Sequence, residues 1–215
     1  MRGLTRLPVP QILLEKGDNW LQNFLESGKS RPDSSKYAHE TVKAQLKSMS
    51  FHKCFYCESK LTDLPKEIDH HVEVSIDKTL AFIWENLYLS CDNCNNKLNH
   101  AAIPITEALD PCRNTDKEIQ EHITFKDECI TAVNNSSLGL KTIQKYRLNT
   151  ELLDKRRINL LKSFYKVLDV VRQRQIADSG RIMSRKDIDI LKYFTQDDQP
   201  YSLMFKVILS SLSGY

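Results

Sequence analysis

The sequence predicts an α+β fold dominated by helices, with a small strand–strand–helix unit near the middle of the chain. Three observations lead there. Apolar residues recur at helical spacing over long stretches, as at Leu153, Leu160, Leu161, Phe164, Leu168 and Val171. Strand-like runs are few and short, the clearest being 66–72 and 87–90. Two Cys-x-x-Cys pairs, Cys54–Cys57 and Cys91–Cys94, bracket those two runs with 33 residues between the pairs.

Along the chain, 18–27 reads as a short helix capped by Asp18, with Trp20 and Phe24 on one face. Residues 27–35 are a loop by composition, and 36–50 form a second helix whose inner face is Val42, Leu46 and Met49. After the second cysteine pair, 92–99 starts a helix. Residues 122–133 read as a hairpin. Ser137 caps a helix reaching Tyr146, and Thr150 caps a long one reaching Arg174. Ser184, with Asp187 three residues on, marks another helix start. A last helix, 199–212, sets Tyr201, Met204, Phe205, Ile208 and Leu212 on one face, as core or contact surface. The domains expected are an N-terminal arm with helices (1–50), a metal-bound module (51–112) and a hairpin with basic and amphipathic helices (113–215).

Composition excludes several classes. No apolar run approaches the ~20 residues that span a bilayer, and the first ten residues have no signal-like core, so a cytoplasmic protein is expected, with no membrane partner. The Gly28-Lys29-Ser30 triplet lacks the upstream glycine of a phosphate-binding loop. The net charge is +3, but 141–192 holds 14 Lys/Arg against six Asp/Glu. That basic third is a candidate surface for a polyanion.

The paired cysteines carry the strongest signal. Each Cys-x-x-Cys turn aims two sulfurs at one ion, and four thiolates close a tetrahedral Zn²⁺ site with no open position. Zinc bound by Cys54, Cys57, Cys91 and Cys94 is therefore structural. A redox pair accounts for one such motif, not two. Cys112 and Cys129 read as small buried hydrophobes.

Between the cysteine pairs lie Asp69, His70 and His71. A neutral imidazole takes a proton from water near neutral pH. A carboxylate such as Asp69 holds a hard divalent ion, which neutralises the oxygen leaving a cleaved phosphodiester. Adjacent strand residues point to opposite faces, so local twist or a bulge must bring Asp69 and His70 to one site.

Asp69-His70, Asn86 ahead of an apolar strand, and Cys91-x-x-Cys94-Asn95-x-Lys97 resemble the HNH endonuclease motif on a ββα-metal finger. The resemblance implies that His70 is the general base, that Asp69 and Asn95 hold a catalytic Mg²⁺ or Mn²⁺, and that Asn86 braces the loop and orients the histidine. Asn95 stands where the family's last histidine is usual, and Glu73 where proline is common. His70 keeps the motif register better than His71. Glu73, Asn96 and Asn99 are weaker candidates for the site, and Lys97 is a candidate phosphate contact.

A wider match includes Met1-Arg2, Pro8, Pro10, Trp84-Glu-Asn-Leu87, Leu109-Asp-Pro111, Thr142–Asn149, Leu152-Leu153 and Arg156-Arg157. Over roughly 1–175 the chain is similar to the HNH component of Septu-type and retron-associated antiphage defence systems. That resemblance implies a defence effector cleaving nucleic acid (DNA by default, RNA such as tRNA open) beside an ABC-type ATPase. In retrons a reverse transcriptase with its RNA-linked DNA joins them. The alternative left open is a catalytically silent zinc-knuckle adaptor that binds nucleic acid or the ATPase.

Overall fold

In the computed structural model, which describes residues 1–62, 66–177 and 183–212, the chain is α+β and mostly helical. Arg181, part of the basic stretch, lies outside the described residues. Helix α1 spans Gln11–Glu26. It starts directly behind Pro10, whose φ of −57° suits a helix entry, so the expected start at Asp18 is too late and Asp18 lies inside the helix. Trp20 and Phe24 do share a face, both against the Phe82 ring.

The helix expected over 36–50 is two. A single turn, α2 (Ser34–Tyr37), is capped by Asp33, and α3 (Glu40–Met49) is capped by His39 Nδ1, which accepts from the Thr41 amide. The two caps compete with a continuous helix and break it at Ala38. Val42, Leu46 and Met49 are buried as expected.

Strand β1 (Lys66–His70) pairs antiparallel with β2 (Leu87–Cys91), from Lys66↔Cys91 to His70↔Leu87. Helix α4 follows at once but is one turn, Asp92–Asn95, not the eight residues expected. Asn96 Nδ2 bonds back to the Asp92 carbonyl at 2.9 Å, an asparagine side chain competing with the backbone ladder.

Helix α5 (Asp116–His122) was not anticipated. Thr115 and Glu118 form a reciprocal capping box at its start. The hairpin β3 (Ile123–Lys126) and β4 (Cys129–Ala132) follows. Helix α6 (Ser137–Lys145) is capped by Ser136, one residue earlier than expected, through the Gly139 amide. A Cβ on Gly139 would meet the His122 carbonyl oxygen at 2.1 Å, so only glycine fits that contact. Helix α7 (Glu151–Ala177) is the longest, and α8 (Arg185–Lys192) and α9 (Ser202–Leu212) pack near its far half.

One apolar core runs from Met1 to Leu203 and encloses the four paired cysteines. A second joins Leu161, Phe164, Leu168 and Val171 of α7 to Leu191 of α8 and Met204, Phe205 and Ile208 of α9. The helical stripes read from the sequence are thus core. Cys112 is half-buried, and Cys129 is exposed, contrary to expectation, because it opens the outward side of an edge hairpin. Among the described residues no helix is long and apolar enough to cross a membrane.

The basic stretch is not all surface. Lys145 is fully buried, paired with Glu73 at 2.9 Å. Arg157 is 1% exposed and donates to Asp154 and to the carbonyls of Glu128 and Leu148. These two do not contribute to a polyanion surface.

Phe164 is fully buried, with the Phe194 and Phe205 rings at 5.2 and 5.1 Å. Phe164→Ala is expected to cost about 3–5 kcal/mol, seen in urea unfolding as a lower midpoint with an unchanged slope.

Candidate active site

The first cysteine pair sits on a tight turn behind α3. The Glu58 amide bonds the Cys54 carbonyl at 3.0 Å, and the Phe55 amide bonds Leu89 of β2 at 2.9 Å. Glu58 takes a left-handed φ of 63° to close the turn. Its buried carboxylate holds that conformation through the Met1 ammonium at 3.1 Å, Ser202 Oγ at 2.8 Å and Lys53 at 3.7 Å. Burial pushes the Glu58 carboxyl up, but the Met1 ammonium and Lys53 outweigh it and hold it below its usual range.

The second pair ends β2 and begins α4. All four sulfurs are buried and lie within 4.8 Å of one another, with Cys57 and Cys91 Sγ 3.7 Å apart. Sulfurs tetrahedral about one zinc at ~2.3 Å stand about 3.8 Å apart. The cluster fits a closed structural ion and leaves it no place for substrate.

Strands β1 and β2 pair without a bulge, so Asp69 and His70 leave β1 on opposite sides. Of the local twist or bulge expected, the bulge is not there. The Asp69 side chain is buried, and its Oδ2 accepts from Tyr56 Oη at 2.6 Å and Lys97 Nζ at 2.7 Å. Its Oδ1 has no hydrogen-bond partner among the described residues. On the other side, His70 Nε2 donates to the Ala81 carbonyl at 2.9 Å, and the ring lies edge-on to Tyr37 at 4.6 Å. That bond leaves Nδ1 as the bare acceptor nitrogen. Burial lowers the His70 pKa below its ordinary value against the opposing pull of the Ala81 carbonyl and Asp69, so the ring is neutral near pH 7. Lys97 bridges the two sides: its ammonium also donates to the carbonyls of His70 at 2.6 Å and His71 at 3.0 Å.

His71 is seated differently. Its ring stacks on Tyr88 at 4.2 Å, within a pile that includes Tyr56 and Tyr146, 4.1 Å apart. Nδ1 lies 3.3 Å from Tyr56 Oη and Nε2 3.4 Å from Asp110 Oδ2. Burial, then the charges of Lys97 and Arg6, push its pKa well down, so it is a neutral interior ring. Asp110 is held in turn by Tyr88 Oη and the Cys112 amide, both at 2.8 Å.

Asn86 is buried and fully used. Its Oδ1 accepts from the Val72 amide at 2.7 Å, and its Nδ2 donates to the carbonyls of Val72 at 3.1 Å and Leu80 at 3.2 Å. Its own carbonyl accepts from the His71 amide. It therefore ties the start of the 71–86 loop to the stretch just before Ala81, whose carbonyl holds His70. Asn95 ends α4 with an exposed side chain that makes no hydrogen bond among the described residues.

The HNH endonuclease family pattern matches residues 54–101, from the first cysteine through the loop beyond α4. A Septu protein PtuB of Bacillus mycoides (strain KBAB4) is 30% identical over 225 residues, covering 81% of this chain and 75% of that protein. The chain belongs to the Septu PtuB family. A second Septu protein PtuB, of Bacillus thuringiensis, is 32% identical over 99 residues, 45% of this chain and 37% of that one. With its HNH endonuclease domain, this PtuB-family chain is a hydrolase of the nuclease class.

The structure departs from the sequence reading at several site positions of this PtuB-family chain. Lys97 is no phosphate contact: its ammonium is enclosed, with all three protons placed on oxygens of Asp69, His70 and His71. The weaker candidates have partners of their own, Glu73 Oε1 on Lys145, Asn96 on the Asp92 carbonyl and Asn99 on the Ala102 amide, while Glu73 Oε2 is buried with no partner among the described residues. Tyr56, Tyr88 and Asp110 were missed. Tyr56 lies between the first two cysteines and Asp110 in the Leu109-Asp-Pro111 run, but neither position advertises its partner in sequence.

The full chain is expected to carry one equivalent of zinc, measured by metal analysis of purified protein. Cys91→Ser should lose that zinc together with its cooperative melt, because the ion and the fold of the hairpin are linked.

Proposed function

We propose that the chain hydrolyses phosphodiester bonds of nucleic acid, with His70 as general base, Asp69 and Asn95 as ligands of a catalytic Mg²⁺ or Mn²⁺, Asn86 as the brace of the base-bearing loop, and Zn²⁺ on the four cysteines as scaffold. The observation that carries this reading is the His70 ring. It is fixed through Nε2 on the Ala81 carbonyl, neutral, and its Nδ1 has no hydrogen-bond partner among the described residues. A base needs that combination: a set orientation, an open lone pair and a pKa at or below the working pH.

The donor chemistry suits a hard divalent ion: Asp69 offers an anionic oxygen and Asn95 a neutral amide oxygen, and neither Asp69 Oδ1 nor the Asn95 amide has a hydrogen-bond partner among the described residues. When bound, such an ion supplies positive charge to the oxygen that leaves the phosphorus. The protein's own residues do the rest. Tyr56 and Lys97 hold Asp69 by its other oxygen. Asn86 keeps the 71–86 loop closed so that Ala81 stays on His70. His70 Nδ1 takes a proton from the attacking water. His71, enclosed in the ring stack, supports the floor of the site and is not the base.

We take residues 51–112 as the catalytic module. Membership of the PtuB family and its HNH domain support a nuclease effector of antiphage defence, and the partner we propose for it is an ABC-type ATPase. Both relatives are Septu proteins, so the Septu setting is favoured over a retron. DNA is the substrate we propose, with RNA as the other outcome of the assay.

The test is cleavage of plasmid DNA and of total tRNA by purified protein with Mg²⁺ or Mn²⁺, alone and with its ATPase partner. His70→Ala should lower cleavage by about 10²–10⁴-fold with zinc content and melting temperature kept. Cleavage equal to wild type would remove His70 from the reaction.

A further inference from the structure

We propose that Lys97 is a resident counter-cation that weakens the Asp69 site for divalent ions. This rests on the reading above that Asp69 holds the catalytic ion, and it adds a residue that sets the affinity of that ion by acting through Asp69.

The argument begins with charge. Lys97 Nζ is 2.7 Å from Asp69 Oδ2, and both side chains are nearly enclosed, at 4% and 7% exposure. The pair is formally neutral before any ion arrives. The ammonium has little freedom to withdraw, because its other two protons lie on the His70 and His71 carbonyls. Moving it would take a donor from three acceptors at once, of which Asp69 Oδ2 would keep Tyr56. A divalent ion on Asp69 Oδ1 therefore enters beside a fixed positive charge. Away from bulk water that repulsion exceeds what one further hydrogen bond to the carboxylate contributes. The site is left with uncompensated positive charge, which the phosphate of the substrate balances.

Tyr56 separates charge from orientation. Its hydroxyl donates to the same Asp69 oxygen at 2.6 Å but carries no charge. Were orientation the controlling effect, removing either donor would loosen the ion. If charge controls, only Lys97 matters, and its neutralisation tightens the ion.

The experiment is Mn²⁺ binding to the zinc-loaded full chain without nucleic acid, read from the electron paramagnetic resonance of free Mn²⁺. Lys97→Gln keeps a donor for the carbonyls and removes the charge, and should lower the Mn²⁺ Kd about tenfold. Lys97→Arg keeps the charge and should stay within about twofold of wild type, and Tyr56→Phe within about threefold. Lys97→Gln binding Mn²⁺ as wild type does, or more weakly, overturns the proposal. So does a Tyr56→Phe loss above about threefold, which holds even if Lys97→Gln fails to fold. Asp69→Asn separates the two readings. If it leaves Mn²⁺ binding unchanged, the ion is not on Asp69 and the assignment of the site falls too. If it abolishes binding while Lys97→Gln changes nothing, only the counter-cation falls.

Discussion

The convergence of Cys54, Cys57, Cys91 and Cys94 on one point is the constraint from which the site follows. Cys91 closes β2 and Cys94 lies in α4, while Cys54 and Cys57 sit on the turn after α3. Tying the four together fixes where β2 ends, and pairing with β2 then fixes β1 and the direction of every side chain on it. A two-stranded hairpin is marginal by itself in water. Here it is held by the sulfur cluster at one end and by the shared core of flanking helices along its length.

The opposite end of the hairpin takes its order from polar contacts. Asn86 joins Val72, near the start of the connection between β1 and β2, to Leu80 with one side chain. Lys97 likewise holds the carbonyls of His70, which ends β1, and of His71 just beyond it. Both are buried polar groups with their partners supplied, which favours one arrangement of the loop over many. Asp69 and His70 leave opposite faces of β1, and one ammonium holds the Asp69 carboxylate together with the backbone carbonyls of His70 and His71.

Much of this was legible in the sequence. The Cys-x-x-Cys spacing, the two short strands and the long amphipathic helix α7 follow from local pattern and periodicity. Other features were not. Helix α5 buries one large apolar residue, Ile119, so it has no stripe to see, although Thr115 and Glu118 spelled its cap. Helix α1 was begun too late because Asp18 has the side chain of a helix cap, although it lies inside the helix. The contacts of Asp69 with Tyr56 and Lys97, 13 and 28 residues away, exist only in three dimensions. The basic stretch misled in a similar way: a count of charges cannot tell Lys145 and Arg157, which are interior, from residues that meet solvent.

The ring stack behind the site has an optical consequence. Tyr56, Tyr88 and Tyr146 pile up with Tyr56 tilted only 5° and 15° from its two neighbours. Phenol chromophores held so nearly parallel in a chiral interior couple their electronic transitions. The pile thereby lends this end of the molecule its own near-ultraviolet dichroic band, which reports whether the floor beneath Asp69 is assembled in the absence of substrate, partner or label.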